Sequence, residues 1–206
     1  MRGRFISLEG GEGVGKSTQL EALRTALVER GIDCLTTREP GGSEGAEAIR
    51  ALLLSGDDGR WSIRSEALLF AAARADHVEK TIRPALEHGR WVLSDRFVDS
   101  SLAYQGGAGG LGVEAIRTIH ALGSEGFLPD RTLVLQLGEG SERAKARDQA
   151  GSDRIGGRSA EYHDQVDAAF RMIADEEPER VRMVDASGSR EQVTQRLLEA
   201  IADLLP

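Results

Sequence analysis

A glycine-rich loop near the start of the chain limits the possible folds more than any other feature. It fits the pattern G-x-x-x-x-G-K-[ST] at every fixed position and reads Gly10-Gly11-Glu12-Gly13-Val14-Gly15-Lys16-Ser17. Apolar residues before it predict a strand over 5–8, and residues 15–30 predict a helix. A strand, this loop and a helix in that order are typical of phosphate-binding proteins with a parallel sheet. An accidental glycine-rich turn, which is the alternative, does not require these neighbours.

The rest of the chain repeats the alternation of strand and helix. Further short apolar runs predict strands over 33–37, 91–94, 132–137 and 181–184. Longer amphipathic stretches predict helices over 44–55, 62–88, 112–123, 160–175 and 190–205. Pro84 is expected to bend or end the longest of these helices, because proline cannot donate a backbone hydrogen bond.

This alternation of strands and helices predicts βαβ units and a mainly parallel sheet covered on both faces. We therefore expect an α/β protein with a P-loop NTPase-type three-layer α/β/α fold and a five-stranded parallel sheet. We also expect one domain over residues 1–206, with ligands bound at the carboxyl ends of the strands.

The same loop predicts the chemistry. Its glycines allow successive amides to face phosphate oxygens, and the helix start contributes a positive dipole. Lys16 is expected to reach the β- and γ-phosphates of ATP, and the Ser17 hydroxyl is expected to ligate Mg²⁺. We expect ATP to bind the loop and the residue after it, namely Gly10, Gly11, Glu12, Gly13, Val14, Gly15, Lys16, Ser17 and Thr18.

Composition excludes several classes of partner. The formal net charge of −8 argues against broad nucleic-acid binding, so any anion must be held by a local basic site. Cys34 is the only cysteine, which excludes a disulfide framework. The polar loop begins too early for a signal peptide, and no apolar run approaches the ~18 residues of a membrane span. We expect a cytoplasmic protein that binds neither nucleic acid nor membranes.

Three further segments, together with the loop, resemble bacterial thymidylate kinases. They are Thr37-Arg38-Glu39-Pro40-Gly41-Gly42, Asp95-Arg96-Phe97 and Ala103-Tyr104-Gln105-Gly106-Gly107. The resemblance extends from Arg4 to the last predicted helix. It implies that ATP, with Mg²⁺, phosphorylates dTMP to dTDP. It also implies a homodimer formed through helices beside the sheet.

The resemblance assigns roles to residues that contact the base and sugar of dTMP. It implies that Glu12 points toward the sugar 3′-hydroxyl; a solvated loop acid is the alternative. Phe70 and Arg74 are four residues apart and share a helix face. The resemblance makes Phe70 a stacking platform for thymine and Arg74 a donor to a base carbonyl. The alternative is a core phenylalanine beside a surface arginine.

Two predicted strand ends carry arginines near the acceptor phosphate. Arg38 is well placed to bind that phosphate, although its segment is also a tight Pro-Gly turn. The resemblance makes Glu39–Pro40 a candidate for a cis peptide bond. It also implies that Arg96 holds the acceptor phosphate near the line of attack and that Asp95 helps to position Mg²⁺. A surface ion pair between these two residues is the alternative.

By resemblance, three residues that follow Asp95 and Arg96 in the chain are further nucleotide contacts. Ser101 matches a small polar base contact, and Tyr104 matches a tyrosine that crowds the sugar 2′ position. Gln105 is a further candidate for contact with the nucleotide. For Ser101 and Gln105 the alternative is a pair of hydrogen bonds within a loop.

An arginine-rich segment over about 141–158 predicts a lid that closes over ATP. A solvated charged loop is the alternative. Some family members carry a basic residue at the position of Gly13, but this chain has glycine there. Charge in the transition state must then be met from elsewhere, and we expect catalytic roles for Arg147 and Arg154.

Three rival functions remain open at the sequence level. The nearest is another nucleoside monophosphate kinase, and the second is a P-loop ATPase or switch with no acceptor. A guanine-specific switch normally needs an N-K-x-D element, and this chain has no asparagine. The third is an interaction protein with a degenerate site, which intact Lys16, Ser17, Asp95 and Arg96 argue against.

Overall fold

A five-stranded parallel sheet forms the centre of the computed structural model, which describes residues 2–57, 59–138 and 155–206. The strands are β1 (Phe5–Glu9), β2 (Cys34–Arg38), β3 (Trp91–Asp95), β4 (Arg131–Gln136) and β5 (Val181–Asp185). Their order across the sheet is β2-β3-β1-β4-β5, and every neighbouring pair is parallel. The predicted five-stranded parallel sheet is therefore confirmed.

Helices cover both faces of this sheet. They are α1 (Lys16–Val28), α2 (Glu44–Leu54), α3 (Ile63–His77), α4 (Arg83–Glu87), α5 (Val98–Ser101), α6 (Val113–Ser124), α7 (Ala160–Glu176) and α8 (Arg190–Ala200). Serines begin four of the long helices, and their hydroxyls accept a backbone N–H from the first turn. In the described part of the chain, no helix is long and apolar enough to cross a membrane.

The core consists of two apolar layers, one on each face of the sheet. Leu23 of α1 and Leu197 of α8 pack against Leu8 and Leu133 on one face. On the other face, Phe5 belongs to a cluster that includes residues of α3, α6 and α7, such as Phe170. The central strands are therefore covered on both sides, which explains their nearly continuous apolar sequences. This arrangement confirms the predicted three-layer fold.

The helix predicted over 62–88 does not end at Pro84. A π-helical segment, Val78–Ile82, joins α3 to α4, and the backbone N–H of Arg83 bonds to the carbonyl of Val78, five residues earlier. This wider turn lies directly before Pro84, which has no N–H to continue an α-helical ladder. The chain therefore remains helical until Glu87.

A second π-helical segment, Leu102–Ala108, follows α5 and was not predicted. It places Ser101 and Tyr104 on a continuous helical stretch rather than in a loop. This stretch packs beside α6 and α7 and forms one wall of the site described next.

Candidate functional site

A cleft of about 400 Å³ lies at the carboxyl ends of β1, β2 and β3. The strand register brings these ends together, because Asp95 of β3 pairs with both Leu8 of β1 and Arg38 of β2. Most of the predicted site residues line the cleft: Glu12, Gly13, Gly15, Lys16, Ser17, Thr18, Arg38, Phe70, Asp95, Arg96, Ser101, Tyr104 and Gln105. The sequence prediction of a site at this edge of the sheet is thus consistent with the geometry.

The phosphate loop, residues 10–17, wraps around the buried amine of Lys16. The Lys16 Nζ donates to the carbonyls of Gly10, at 3.1 Å, and Gly11, at 2.7 Å. Burial, together with the nearby charge of Arg96, lowers the pKa of Lys16 to about 8. Three loop residues, Gly10, Gly11 and Val14, are not among those that line the cleft.

Gly10 is required by the fold as well as by the loop. Its φ of 127° lies in a region that favours glycine. A Cβ at this position would lie 2.3 Å from the carbonyl oxygen of Leu135 in β4. No other residue fits here without a shift of the neighbouring strand.

Ser17 and Asp95 form the candidate metal site. The Ser17 hydroxyl donates to Asp95 Oδ2 at 2.7 Å, and both residues line the cleft. Among the described residues, no group of three or more His, Cys, Asp or Glu side chains could hold a metal. Mg²⁺ usually takes one or two protein oxygens and completes its shell with phosphates and water, so this pair fits it.

Arg96 connects the phosphate loop to the opposite wall of the cleft. Its φ is 72°, and its backbone N–H donates to the Leu8 carbonyl at 2.9 Å. One terminal nitrogen, Nη1, donates to the Gly10 carbonyl and to Ser100 Oγ, each at 3.1 Å. The other, Nη2, donates to a carboxylate oxygen of Glu12 and to the Tyr104 hydroxyl.

The Arg96–Glu12 ion pair is asymmetric. The Arg96 side chain is 16% exposed, whereas that of Glu12 is 42% exposed. Partial burial of Glu12 opposes its ionisation, but the charges of Arg96 and Lys16 hold its pKa below the ordinary value. Glu12 is therefore partly exposed and contacts one basic group, Arg96, while its bond to the sugar 3′-hydroxyl stays a prediction.

Arg74 lies behind the cleft wall, and it is not the surface arginine of the alternative reading. It is 2% exposed. Its Nε donates to Glu39 Oε2 at 2.8 Å, and its Nη2 donates to Ser101 Oγ at 2.9 Å. Phe70, one helical turn earlier, does line the cleft. Arg74 thus approaches the cleft through Ser101 and Glu39, both of which line it.

The predicted cis peptide bond between Glu39 and Pro40 is confirmed. It follows Arg38, whose exposed guanidinium is 3.0 Å from a carboxylate oxygen of Glu47 at the start of α2. Glu47 also accepts the backbone N–H of Gly42 at 3.1 Å, which is the main cause of its lowered pKa. Arg38 is therefore held at the rim of the cleft.

Gln105 belongs to a network that includes the end of the predicted lid. Its Nε2 donates to Glu66 Oε1 at 2.9 Å, and Arg158 donates to Glu66 Oε2 at 2.7 Å. Arg158 thus bonds to a buried side chain of α3 instead of projecting into solvent. Arg147 and Arg154, the predicted catalytic lid arginines, lie outside the described residues.

The sequence over residues 8–197 matches a family model described as thymidylate kinase. The chain belongs to the thymidylate kinase family. A thymidylate kinase from Rhizorhabdus wittichii is 62% identical over 208 residues, covering 100% of both chains. One from Symbiobacterium thermophilum is 48% identical over 98% of this chain and 94% of its own.

A crystal structure of the thymidylate kinase from Ehrlichia chaffeensis has the same fold. It superposes with a TM-score of 0.79 at 29% identity, covering 98% of this chain and 99% of the other. The resemblance that the sequence motifs indicated is therefore confirmed for fold and family.

Two buried acids of this thymidylate kinase family member are absent from the predicted site. Glu39 bonds to Arg74 and also lies 3.2 Å from His77 Nδ1. Glu9, at the end of β1, accepts the Phe97 N–H at 2.7 Å and the Ser100 hydroxyl at 2.6 Å. Burial and the charge of Asp99 raise the pKa of Glu9 to about 8. For Glu9 the sequence signal was a carboxylate directly after a predicted strand, and for Glu39 it was the motif of residues 37–42.

Proposed function

We propose that this protein transfers the γ-phosphoryl group of ATP to dTMP, giving dTDP and ADP, within a single domain of 206 residues. The observation that carries the proposal is the position of Arg96. One guanidinium contacts both the phosphate loop, through Gly10, and the opposite wall, through Tyr104. A cation between two phosphate sites is what transfer between two anionic nucleotides requires.

On the ATP side, the phosphate loop and the start of α1 supply the binding groups. The Lys16 amine, now bonded to two loop carbonyls, is close to where the β- and γ-phosphates would lie. Ser17 and Asp95 would hold Mg²⁺, and the bound ion would neutralise phosphate charge. Arg147 and Arg154 are proposed to add positive charge in the transition state, as arginine fingers do in other phosphoryl-transfer enzymes.

On the acceptor side, α3 and the stretch that follows β3 supply the groups that recognise dTMP. We assign the thymine ring to Phe70 and its polar edge to Arg74, Ser101 and Gln105. Arg74 and Ser101 are already joined at 2.9 Å, so they would act as one polar unit. Tyr104 is assigned to the sugar 2′ side, and Arg38 to the phosphate at the rim of the cleft.

The Arg96–Glu12 ion pair suggests how the acceptor enters. In this proposal Arg96 Nη1 stays bonded to Gly10 and Ser100, and the acceptor phosphate replaces Glu12 as the partner of Nη2. Glu12, the more exposed partner, then becomes free to accept the sugar 3′-hydroxyl. The phosphate of dTMP is already an anion, so positioning and charge neutralisation supply the catalysis without a strong base.

A coupled assay for ADP, run with a panel of acceptors, tests this function. We expect ADP to form with ATP and dTMP, and far more slowly with dUMP, UMP, AMP or GMP. Equal rates with another acceptor would favour a different nucleoside monophosphate kinase. Phosphate release without any nucleoside diphosphate product would favour an ATPase.

The same family membership supports a proposal for the assembly and the location of the protein. We propose a cytoplasmic homodimer formed through helices beside the sheet. Exposed leucines on adjacent helices support this, since Leu68 of α3 is 58% exposed and Leu122 of α6 is 89% exposed. Light scattering of the purified protein would measure its mass, and a monomer would contradict the proposal.

A further inference from the structure

Glu9 connects two parts of the active cleft that are far apart in sequence. It is fully buried at the end of β1, directly before the phosphate loop. Its Oε1 accepts the backbone N–H of Phe97 at 2.7 Å, and its Oε2 accepts the Ser100 hydroxyl at 2.6 Å. Both partners follow Arg96 closely in the chain.

One of these bonds holds the peptide that follows Arg96, and the other holds a side chain that contacts the Arg96 guanidinium. Arg96 has a φ of 72°, a conformation that non-glycine residues rarely adopt and that its surroundings must therefore enforce. Glu9 holds the peptide on the carboxyl side of Arg96 through the Phe97 N–H. On the other side, the Leu8 carbonyl accepts the N–H of Arg96 itself at 2.9 Å. Ser100, held by Glu9, in turn accepts Nη1 of Arg96 at 3.1 Å.

The geometry points to Glu9 as the positioning residue for Arg96: it fixes both the backbone turn and the Ser100 contact that aim the guanidinium at the acceptor phosphate. This inference rests on the proposed transfer to dTMP. Glu9 does not line the cleft, so it acts through Arg96 and not on the substrate. Displacement of a binding group by about 1 Å can cost ~10²-fold in rate.

The test compares two variants of Glu9 with two ligands. Glu9→Met keeps the length of the side chain but removes both acceptors, whereas Glu9→Gln keeps an acceptor for Phe97 and a polar partner for Ser100. Calorimetry would measure the Kd of dTMP and of thymidine, which lacks the phosphate. We expect Glu9→Met to weaken dTMP binding roughly tenfold or more, with little effect on thymidine. Glu9→Gln should restore most of the loss.

A protein without the Arg96 guanidinium distinguishes a positioning role of Glu9 from general damage to the fold. In an Arg96→Lys protein, adding Glu9→Met should cause no further selective loss of dTMP binding. Ser7→Ala is the matched control, because Ser7 lies on the same strand but bonds to Thr132 of β4. It should leave the ratio of the two Kd values unchanged.

Several results would overturn the inference. They are equal weakening of dTMP and thymidine, no weakening of either, a full additive loss in the Arg96→Lys background, or a Glu9→Gln protein no better than Glu9→Met. If Glu9→Met does not fold, Ser100→Ala replaces it and should show the same selective loss. A wild-type protein that neither binds nor phosphorylates dTMP would instead refute the proposed function, and this inference with it.

Discussion

At the scale of single residues, Glu12 has two roles that exclude each other in time. It pairs with Arg96 in this structure, and the proposed function gives it the 3′-hydroxyl of the acceptor. Only the contact between Glu12 and Nη2 of Arg96 needs to break when the acceptor arrives, because Nη1 of Arg96 keeps its bonds to Gly10 and Ser100. The acceptor itself would therefore trigger the exchange.

Glu12→Ala should reduce discrimination between dTMP and its 3′-deoxy analogue. A hydrogen bond to a charged group contributes about 1.5–3 kcal/mol, so the ratio of kcat/KM values should fall about tenfold or more. Steady-state kinetics with both acceptors would measure it. Glu21→Ala is the control, since the Glu21 side chain forms an exposed pair with Arg24. An unchanged ratio in Glu12→Ala would remove this carboxylate from the sugar site.

Arg74→Met should impair dTMP recognition far more than ATP binding. Arg74 bonds to Ser101 and Glu39 on the acceptor side, whereas ATP is assigned to the phosphate loop. We expect the KM for dTMP to rise about tenfold or more, with the KM for ATP changed less than about twofold. Equal increases in both KM values would show that the variant had damaged the whole cleft.

The motif residues could be located from the sequence because their spacing is local, but their partners could not. Lys16 and Ser17 lie within one continuous pattern. Glu9, in contrast, meets Phe97 across 88 positions, and Glu39 meets Arg74 across 35. Such contacts depend on which strands become neighbours, which periodicity alone does not determine.

At the scale of elements, the unpredicted helical stretch after β3 shows why glycine can mislead. Neighbouring glycines often mark turns, yet Gly106 and Gly107 both lie inside the π-helical segment. A Cβ on Gly107 would lie 2.8 Å from Cβ of Ala169 in α7, and one on Gly106 would lie 3.2 Å from Cγ1 of Ile116 in α6. These glycines permit close helix packing, a role that a single sequence does not distinguish from a turn.

A buried ion pair connects α5 to the start of β5, at the edge of the sheet. Asp99 is fully buried and receives two bonds of 2.8 Å from Arg180, just before β5. Thr132 of β4 donates a third, at 2.7 Å. Three elements thus meet at one carboxylate, next to the turn that carries Arg96.

Arg180→Ala should therefore destabilise the protein by about 3–5 kcal/mol, because it leaves the Asp99 carboxylate buried without its cation. Urea denaturation would measure the free energy of unfolding. Arg4→Ala is the control: Arg4 pairs with Asp130 at 3.0 Å but is half-exposed, so its loss should cost less than about 1 kcal/mol. Similar values for the two variants would mean that the buried pair adds nothing.

At the scale of the whole molecule, a net negative protein concentrates positive groups in one cleft. The formal net charge is −8, yet Lys16, Arg38 and Arg96 all line the cavity. The alternation of strands and helices was enough to predict the sheet, and the binding of ligands at this edge stays a prediction. The lid arginines Arg147 and Arg154 remain predictions, because they lie outside the described residues.

Stability should fall with rising pH through the titration of Glu9. Its pKa is raised in the folded protein from 4.5 to about 8, so between these values the folded state keeps a proton that the unfolded state has lost. This group's contribution is complete below pH 4.5 and is lost as the pH rises toward 8. The slope can reach about 1.4 kcal/mol per pH unit.

Urea denaturation of wild type and Glu9→Gln at pH 5, 6, 7 and 8 would test this expectation. The amide does not titrate, so the variant should gain stability relative to wild type as the pH rises. Parallel curves for the two proteins would show that Glu9 is ionised in the fold throughout this range.

The close approach of Gly10 to Leu135 has an evolutionary consequence. A methyl group at this position would collide with the backbone of a neighbouring strand whether or not a nucleotide ever bound. Descendants that abandoned phosphate chemistry altogether would still be expected to retain this glycine. A glycine at this position is therefore evidence for the fold and does not by itself show that a protein is an active enzyme.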